Sequence, residues 1–293
     1  MISVLIPTYN LVCVRLVEEL LRQMSRLNID GEIIVADDGS SNLSTIADNS
    51  KIEQYDNCRF IVNPKNIGTA RNRNLLMREA KYPHLLFLDS DTFPTSDDFL
   101  KNYLDAADKA DVVVGGLRYS PDAIKYVNPL RLKYGYQREI RTAEQRALRP
   151  YDSFLSSNFM VNRKVAETIR FDESFDRYGH EDTLFGVSLR LAGMSILHIE
   201  APVYHNDTDT SEQYLEKTRI AIQSLTMHYE DLRGHSHLIT WFERLSFLKL
   251  TGLVGLVYKY FRSPIEANLQ GKNPILFLLD VYKLSYMCRV FSL

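Results

Sequence analysis

Leu85-Leu86-Phe87-Leu88-Asp89-Ser90-Asp91 decides how the rest of the chain is read. Four apolar residues that stop at acidic ones read as a core strand delivering carboxylates to the C-terminal edge of a sheet. In open α/β sheets that edge is where ligands sit. Carboxylates one residue apart can both reach a hard divalent cation, one directly and one through water, leaving positions for phosphate oxygens. The stretch therefore suits a metal–diphosphate. It also suits a plain strand end with an Asx-type turn, since Asp, Ser, Thr and Pro all follow.

Working outward, strand and helix patterns alternate. Ile2–Ile6 reads as a strand ended by Pro7, and Val14–Leu27 carries Leu16, Leu20, Met24 and Leu27 at helical spacing. Glu32–Ala36 is a second strand running into Asp37-Asp38-Gly39-Ser40, followed by a helix over Leu43–Asn49 and a strand over Arg59–Val62. Thr69–Ala80 reads as a helix that leads into Leu85–Leu88. This β-α order predicts a mostly parallel sheet with right-handed crossovers. A helix over Asp98–Ala107 and a strand over Asp111–Gly115 follow.

From Arg118 to Arg149 the chain turns rich in Tyr, Arg and Lys with weak periodicity, as expected of a substrate-side insertion or lid. Phe154–Val161 reads as a strand, Arg163–Ile169 as a helix, and Glu181–Ala192 as a helix opened by Gly179-His180. Ser195–Ile199 and Pro202–Tyr204 are extended pieces that run to His205.

The final stretch, Trp241–Leu293, differs in charge. It has seven basic and three acidic residues, a net of +4 in a chain whose net charge is −2. Two helical runs, Trp241–Phe261 and Pro274–Phe291, suit either a helical subdomain or a basic amphipathic surface on an anionic membrane.

The bulk numbers set bounds. A length of 293 residues fits one large α/β domain, or one with a C-terminal appendage. A net charge of −2 lacks the basic excess of a dedicated nucleic-acid binder. Cys13, Cys58 and Cys288 lie far apart and form no metal-ligand pair, which suits a reducing compartment. With no basic leader before a long apolar stretch and no run of about 18 apolar residues, the expected location is cytoplasmic, or peripheral on the inner face of a membrane.

Each remaining polar cluster has a structural and a chemical reading. Asp37 and Asp38 can accept an N–H from a base such as uracil, with Gly39 allowing close backbone approach, or can close a βα turn. Asn66-Ile67-Gly68-Thr69-Ala70-Arg71-Asn72 enters a helix, where Gly68 and the helix N-terminus face an anion and Arg71 can pair with phosphate; Arg71 can equally be a surface residue. Glu181 and Asp182 are ordinary partners of a helix dipole, or one of them is a general base for a hydroxyl. His205 can be a ligand or a phosphate donor, or a hydrogen-bonded structural residue.

In this order the clusters resemble inverting glycosyltransferases of family 2. The features that carry the resemblance are Pro7-Thr8-Tyr9-Asn10, Asp37-Asp38-Gly39-Ser40, Asn66-x-Gly68-x-Ala70-Arg71-Asn72, Phe87-Leu88-Asp89-Ser90-Asp91 and Gly179-His180-Glu181-Asp182. They cover roughly residues 1–210. The resemblance implies a GT-A type nucleotide-diphospho-sugar transferase fold, a mostly parallel central sheet flanked by helices, with a catalytic domain expected over 1–235 that splits into a nucleotide-binding half (1–117) and an acceptor-side half (118–235). The Trp241–Leu293 tail lies outside the resemblance, and its helical runs are read as a C-terminal helical extension at 236–293.

It further implies that Pro7, Thr8, Tyr9, Asp37, Asp38, Asn66, Gly68, Arg71 and Ser90 bind the nucleotide, most often uridine. Asp89, Asp91 and His205 would hold Mn²⁺ or Mg²⁺. Asp182 would be the base, with Glu181 orienting the acceptor. The partners implied are a nucleotide-sugar donor and a saccharide or lipid-linked acceptor, in cell-surface polysaccharide synthesis; oligomerisation stays open. Two features depart from the pattern. Thr92 stands where many relatives carry a further acid, and no aromatic or glycine pair marks Ser156-Ser157-Asn158 as an acceptor site. Asp89-Ser90-Asp91-Thr92 also resembles haloacid-dehalogenase phosphatases, but these place the motif on the first strand. That reading would leave Asp37–Ser40 and Glu181–Asp182 without a role. A nucleotide-sugar or glycan-binding module without turnover is the non-enzymatic alternative.

Overall fold

The computed structural model describes residues 1–119, 128–175, 178–205 and 209–291. The chain divides into two compact units. Met1–Arg118, Arg141–Asp176 and Phe185–Asn206 form the first, and Tyr119–Ile140, Arg177–Leu184 and Asp207–Leu293 the second.

The first unit holds all the described strands. They are β1 (Ile2–Thr8), β2 (Gly31–Asp37), β3 (Cys58–Val62), β4 (His84–Leu88), β5 (Thr92–Pro94), β6 (Val112–Val114), β7 (Leu117–Arg118), β8 (Asn158–Asn162), β9 (Ile196–His198) and β10 (Val203–His205). Seven make a central sheet in the order β3-β2-β1-β4-β8-β6-β9, and three make a small sheet in the order β5-β10-β7. The central sheet is mostly parallel; β8 alone runs against its neighbours β4 and β6. Helices α1 (Val14–Leu27), α2 (Leu43–Asn49), α3 (Thr69–Glu79), α4 (Phe99–Leu104), α6 (Ala143–Ala147) and α7 (Arg163–Thr168) complete the unit, while α5 (Pro129–Tyr134) belongs to the second.

The sheet is buried on both faces, so its strands are near-continuous runs of Ile, Val and Leu. Phe87 on β4 and Phe159 on β8 are paired in register and stack with centroids 4.8 Å apart. Phe154, Phe171 and Phe185 gather around them. Burying each such ring contributes about 2–3 kcal/mol, which fixes β8 against β4.

Two boundaries differ from expectation for identifiable reasons. β1 does not end before Pro7 but continues to Thr8. Pairing with β4 stops at Leu5, so beyond it β1 is paired on one side only, where a residue without an N–H is tolerated. The strand expected over Phe154–Val161 begins at Asn158, because residues 151–153 turn and Phe154 packs into the core instead.

The second unit contains α9 (Ser211–Met227), α10 (Tyr229–Leu232), α11 (His237–Phe247), α12 (Thr251–Leu269) and α13 (Leu276–Val290), together with the opening of α8 (Glu181–Leu191), whose later residues belong to the first unit. Leu215, Tyr258, Ile265, Leu269, Leu279 and Tyr282 form its core. Glu266 accepts from Arg219, Arg262 and Tyr282 at 2.9, 2.9 and 2.7 Å, so the polar groups between α9, α12 and α13 are satisfied. The single helix expected over Trp241–Phe261 is two, α11 and α12. The chain breaks where Lys249 takes a left-handed conformation (φ 57°) and the Leu250 N–H returns to the Leu245 carbonyl. Of the expected insertion over Arg118–Arg149, residues 120–127 lie outside the described residues; the remainder forms α5, one wide turn over Gly135–Glu139, and α6.

Candidate active site

The chain runs outward from β1 to β2 and β3, then returns to place β4 on the other side of β1. The order of the sheet reverses between β1 and β4, and a crevice beyond the strand ends is where such sheets bind ligands. Thr8 and Asp37 at the ends of β1 and β2, Asp38 just after β2, and Asp89 after β4 all lie on that edge.

Asp37 is fully buried and closes a turn by accepting from the Ser40 N–H at 2.8 Å and from its hydroxyl. Asp38 receives the Ile67 N–H at 2.8 Å and the Gly68 N–H at 3.1 Å, so it holds the loop that enters α3. Burial pushes the Asp38 carboxyl above its usual range, against these two N–H groups that favour the charged form. Gly39 serves the same packing. Its φ is +68°, and a Cβ there would stand 2.3 Å from the Lys65 backbone carbon and 2.5 Å from the Asn66 nitrogen. The glycine thus admits the chain's own loop as the close backbone neighbour. Gly68, at φ +91°, leads into α3, and a Cβ there would stand 3.7 Å from the Phe175 carbonyl oxygen, an ordinary contact. Asn66 is exposed and accepts from the Gly68 N–H at 3.2 Å.

Thr8 is buried and donates to the Leu11 carbonyl at 3.0 Å, shaping the Pro7–Leu11 turn, while Tyr9 is half exposed at its rim. Arg71 lies on the first turn of α3, exposed, 3.6 Å from Glu173. Its guanidinium is accessible to an anion in a way that Arg73 is not.

Arg73 is the residue that the sequence reading missed. It is buried, lies over the Phe171 ring at 5.3 Å, and donates to Asp89 at 2.9 Å. Burial raises the Asp89 carboxyl above its usual range. The Arg73 charge opposes that shift and Asp91 adds to it. The Asp89 N–H is taken by the Ser157 carbonyl at 3.1 Å, and Thr92 folds back on the Asp89 carbonyl through its N–H at 3.0 Å and its hydroxyl at 2.7 Å. Ser90 occupies the middle of this turn, partly exposed.

The turn delivers the chain into β5, which pairs antiparallel with β10 so that Thr92 faces His205. His205 Nε2 consequently lies 3.3 Å from Asp91 Oδ2. The other carboxylate oxygen, Asp91 Oδ1, is buried with no hydrogen-bond partner. A buried anionic oxygen left unpaired is costly, and a cation is one way to satisfy it. Among the described residues no group of three or more His, Cys, Asp or Glu side chains is arranged to hold a metal. Mg²⁺-type ions are usually held by one or two carboxylates plus substrate phosphates, so Asp91 and Asp89 fit a site completed by a diphosphate. Structure thus brings Asp89, Asp91 and His205 together, and separately joins Asp38 to Asn66–Gly68.

Glu181 and Asp182 belong to the second unit. They form the first turn of α8 after Gly179 (φ +106°) and His180 (φ +71°). Glu181 accepts the Gly179 N–H at 3.2 Å, and Asp182 accepts the Thr183 N–H at 2.7 Å. The turn is anchored by Ser224, whose hydroxyl donates to the Gly179 carbonyl at 3.1 Å. Burial lowers the His180 pKa to about 4.

Residues 3–170 match the family model described as Glycosyl transferase family 2. The chain belongs to glycosyltransferase family 2. An uncharacterized glycosyltransferase of Haemophilus influenzae is 32% identical over 97 residues, which are 33% of this chain and 38% of that relative. Solved structures agree on the fold. S. aureus TarS 1-349 in complex with UDP superposes with a TM-score of 0.54 at 18% identity, covering 99% of this chain and 90% of that chain. The mannosyltransferase PcManGT from Pyrobaculum calidifontis, in complex with GDP-Man and Mn²⁺, gives 0.57 at 14% identity, covering 99% and 86%. The α/β architecture is therefore the GT-A type, with a helical C-terminal region. Membership in this family sets the phosphohydrolase reading aside.

Proposed function

We propose that this glycosyltransferase is an inverting enzyme that moves a sugar from a UDP-linked donor to a hydroxyl of a saccharide or lipid-linked acceptor. The observation that carries the reading is Asp91, paired to His205 and left with one buried unpartnered oxygen, beside an Asp89 held by Arg73 at the sheet's switch point. Asp89, Asp91 and His205 would hold Mn²⁺ or Mg²⁺, which supplies Lewis-acid neutralisation of the charge that grows on the leaving diphosphate. Arg71 adds a guanidinium to the same phosphates, and Thr8, Tyr9, Asp38 and the Asn66–Gly68 loop frame the nucleoside; Asp37 supports that frame through Ser40.

Asp182 takes the proton of the acceptor hydroxyl as its oxygen bonds to the anomeric carbon. The bond from that carbon to the β-phosphate oxygen breaks, and its electron pair leaves with the nucleoside diphosphate. Attack opposite the leaving group inverts the anomeric centre. An ionised carboxylate within hydrogen-bond reach suffices as the base. Glu181 orients the acceptor. The solved neighbours described with UDP, UDP-GlcNAc and GDP-Man support a nucleotide-sugar as donor. Cys13, Cys58 and Cys288, buried and far apart in the sequence, support a reducing, cytoplasmic location. The role in cell-surface polysaccharide synthesis rests on the family resemblance.

Thermal-shift titration with UDP-GlcNAc, UDP-glucose and GDP-mannose, with and without Mn²⁺, tests this. A metal-dependent rise in Tm with a UDP-sugar, and slow UDP release in the absence of acceptor, are expected. No shift with any nucleotide-sugar would refute the assignment.

A further inference from the structure

The second unit carries an apolar surface that its own core does not use. Phe247 is 87% exposed and Leu248 60% exposed, at the turn joining α11 to α12. On α12, Leu253, Leu256 and Tyr260 are exposed at i, i+3 and i+7, one face of the helix, while Gly255, Tyr258, Ile265 and Leu269 occupy the buried face. Trp241 is half exposed on α11. Large apolar side chains concentrated in this way mark an interaction site rather than the scattered exposure of an ordinary surface.

Charge on the same surface selects the occupant. Between Arg244 and Ile265 the chain has Arg244, Lys249, Lys259 and Arg262 and not one acid. Glu243 accepts from Arg233 and Tyr229, and Glu266 from Arg219, Tyr282 and Arg262, so of these four cations Arg262 is already paired. Arg244 lies over the Trp241 ring at 4.8 Å and Lys259 over the Tyr260 ring at 5.1 Å. A second copy docking on this face by two-fold symmetry would set these cations against themselves. An anionic bilayer complements both properties at once. Phe and Leu enter the acyl boundary, Trp and Tyr sit at the headgroup level, and long cationic side chains reach anionic lipid.

We propose that the α11–α12 surface docks on an anionic lipid bilayer, inserting Phe247 and Leu248 and setting Arg244, Lys249 and Lys259 against the headgroups. No described helix is long and apolar enough to cross a membrane, so this contact is peripheral.

Trp241 is the only tryptophan in the chain and therefore reports from the surface itself. The protein is mixed with vesicles of phosphatidylcholine alone, or of three parts phosphatidylcholine to one part phosphatidylglycerol. Sedimentation with the anionic vesicles and a blue shift of Trp241 emission are expected, with little of either on phosphatidylcholine, and both should weaken in about 0.5 M NaCl. F247S/L248S should lower partitioning at least about tenfold. Each of K249E and K259E should lower it about fivefold, with circular dichroism melts unchanged. The proposal fails if the unaltered chain neither sediments with anionic vesicles nor shifts its emission. It fails equally if the shift arises without lipid from a dimer or from an acidic protein partner.

Discussion

Oδ2 of Asp91 stands 3.3 Å from Nε2 of His205. Nothing in the local sequence links them; the antiparallel register of β5 and β10, with Thr92 opposite His205, sets the distance. The pair therefore reports on the small sheet as much as on the site. Asp91→Asn should reduce turnover by at least about 100-fold and remove the Mn²⁺ dependence of nucleotide binding, and His205→Ala should cost about 10–100-fold. Steady-state kinetics with a Mn²⁺ titration measures both. Full activity in Asp91→Asn would remove Asp91 from the chemistry.

Arg73 is the counterion of Asp89, and the pair is largely out of solvent. Arg73→Met leaves Asp89 next to Asp91 without its cation. The expected loss is roughly 2–4 kcal/mol at pH 7, since removing one partner of a buried pair strands the other. The loss should shrink in acid buffer, since burial already holds the Asp89 carboxyl above its usual range and so favours uptake of a proton. Urea unfolding at pH 7 and in acid buffer gives the comparison, and an equal loss at both would contradict the pairing.

Gly39 has a backbone neighbour where a Cβ would go, together with a left-handed φ. Gly39→Ala should destabilise the protein by about 2–4 kcal/mol or yield no soluble chain. Gly193 also has a positive φ but nothing within 4 Å of its Cβ position, so Gly193→Ala should cost only about 1 kcal/mol. Chemical denaturation of the two variants separates steric from conformational cost.

Asp182→Asn should cut kcat by about 10²–10⁴-fold while UDP affinity stays within twofold or so, the signature of a base that acts only in the reaction. Glu181→Gln should act mainly on the acceptor KM. Isothermal titration with UDP beside initial-rate kinetics distinguishes them, and a large loss of UDP affinity in Asp182→Asn would assign Asp182 to binding instead.

His180 has its pKa lowered from 6.5 to about 4, because burial disfavours the imidazolium; Glu181 opposes the shift and Lys283 reinforces it. Between these values the unfolded chain binds the proton and the folded chain does not. Stability contributed by the neutral ring is thus present above about pH 6.5 and declines as pH falls toward 4. His180→Asn tolerates the positive φ and carries no titrating group, so it should flatten this part of the stability profile. Thermal melts from pH 4 to 7 would show it; an unchanged slope would mean that other groups set the acid sensitivity.

Periodicity made much of the first unit legible. The α1 and α2 boundaries match expectation, because strong apolar spacing and a capping Asn42 define them. α3 was legible as a helix but not in its role. It buries Asn72, Arg73 and Asn74 toward the sheet, where Asn72 donates to the Ala36 carbonyl and Asn74 bonds both the N–H and the carbonyl of Phe171. A polar triplet on the inward face of a helix defeats any rule that equates burial with apolarity, and Arg73 was invisible for that reason.

α9 was missed because its buried face includes Ser211, Thr218 and Ser224. Its start was nevertheless written in the chain as the capping box of Thr210 and Gln213. The second unit is assembled from three separate stretches, so no single boundary along the chain marks it.

The reversed direction of β8 has a consequence for how such an enzyme can change. Because β8 runs against β4, with Asn158 opposite Leu88, the chain reaches the Asp89 turn before entering the sheet, and Ser157 is its last residue there. Residues 141–157 form the approach to that turn, pinned at Arg146, which donates to the carbonyls of Gly115 and Ile199, and at Phe154 in the core, so only the positions between these two anchors are open to change without disturbing the sheet.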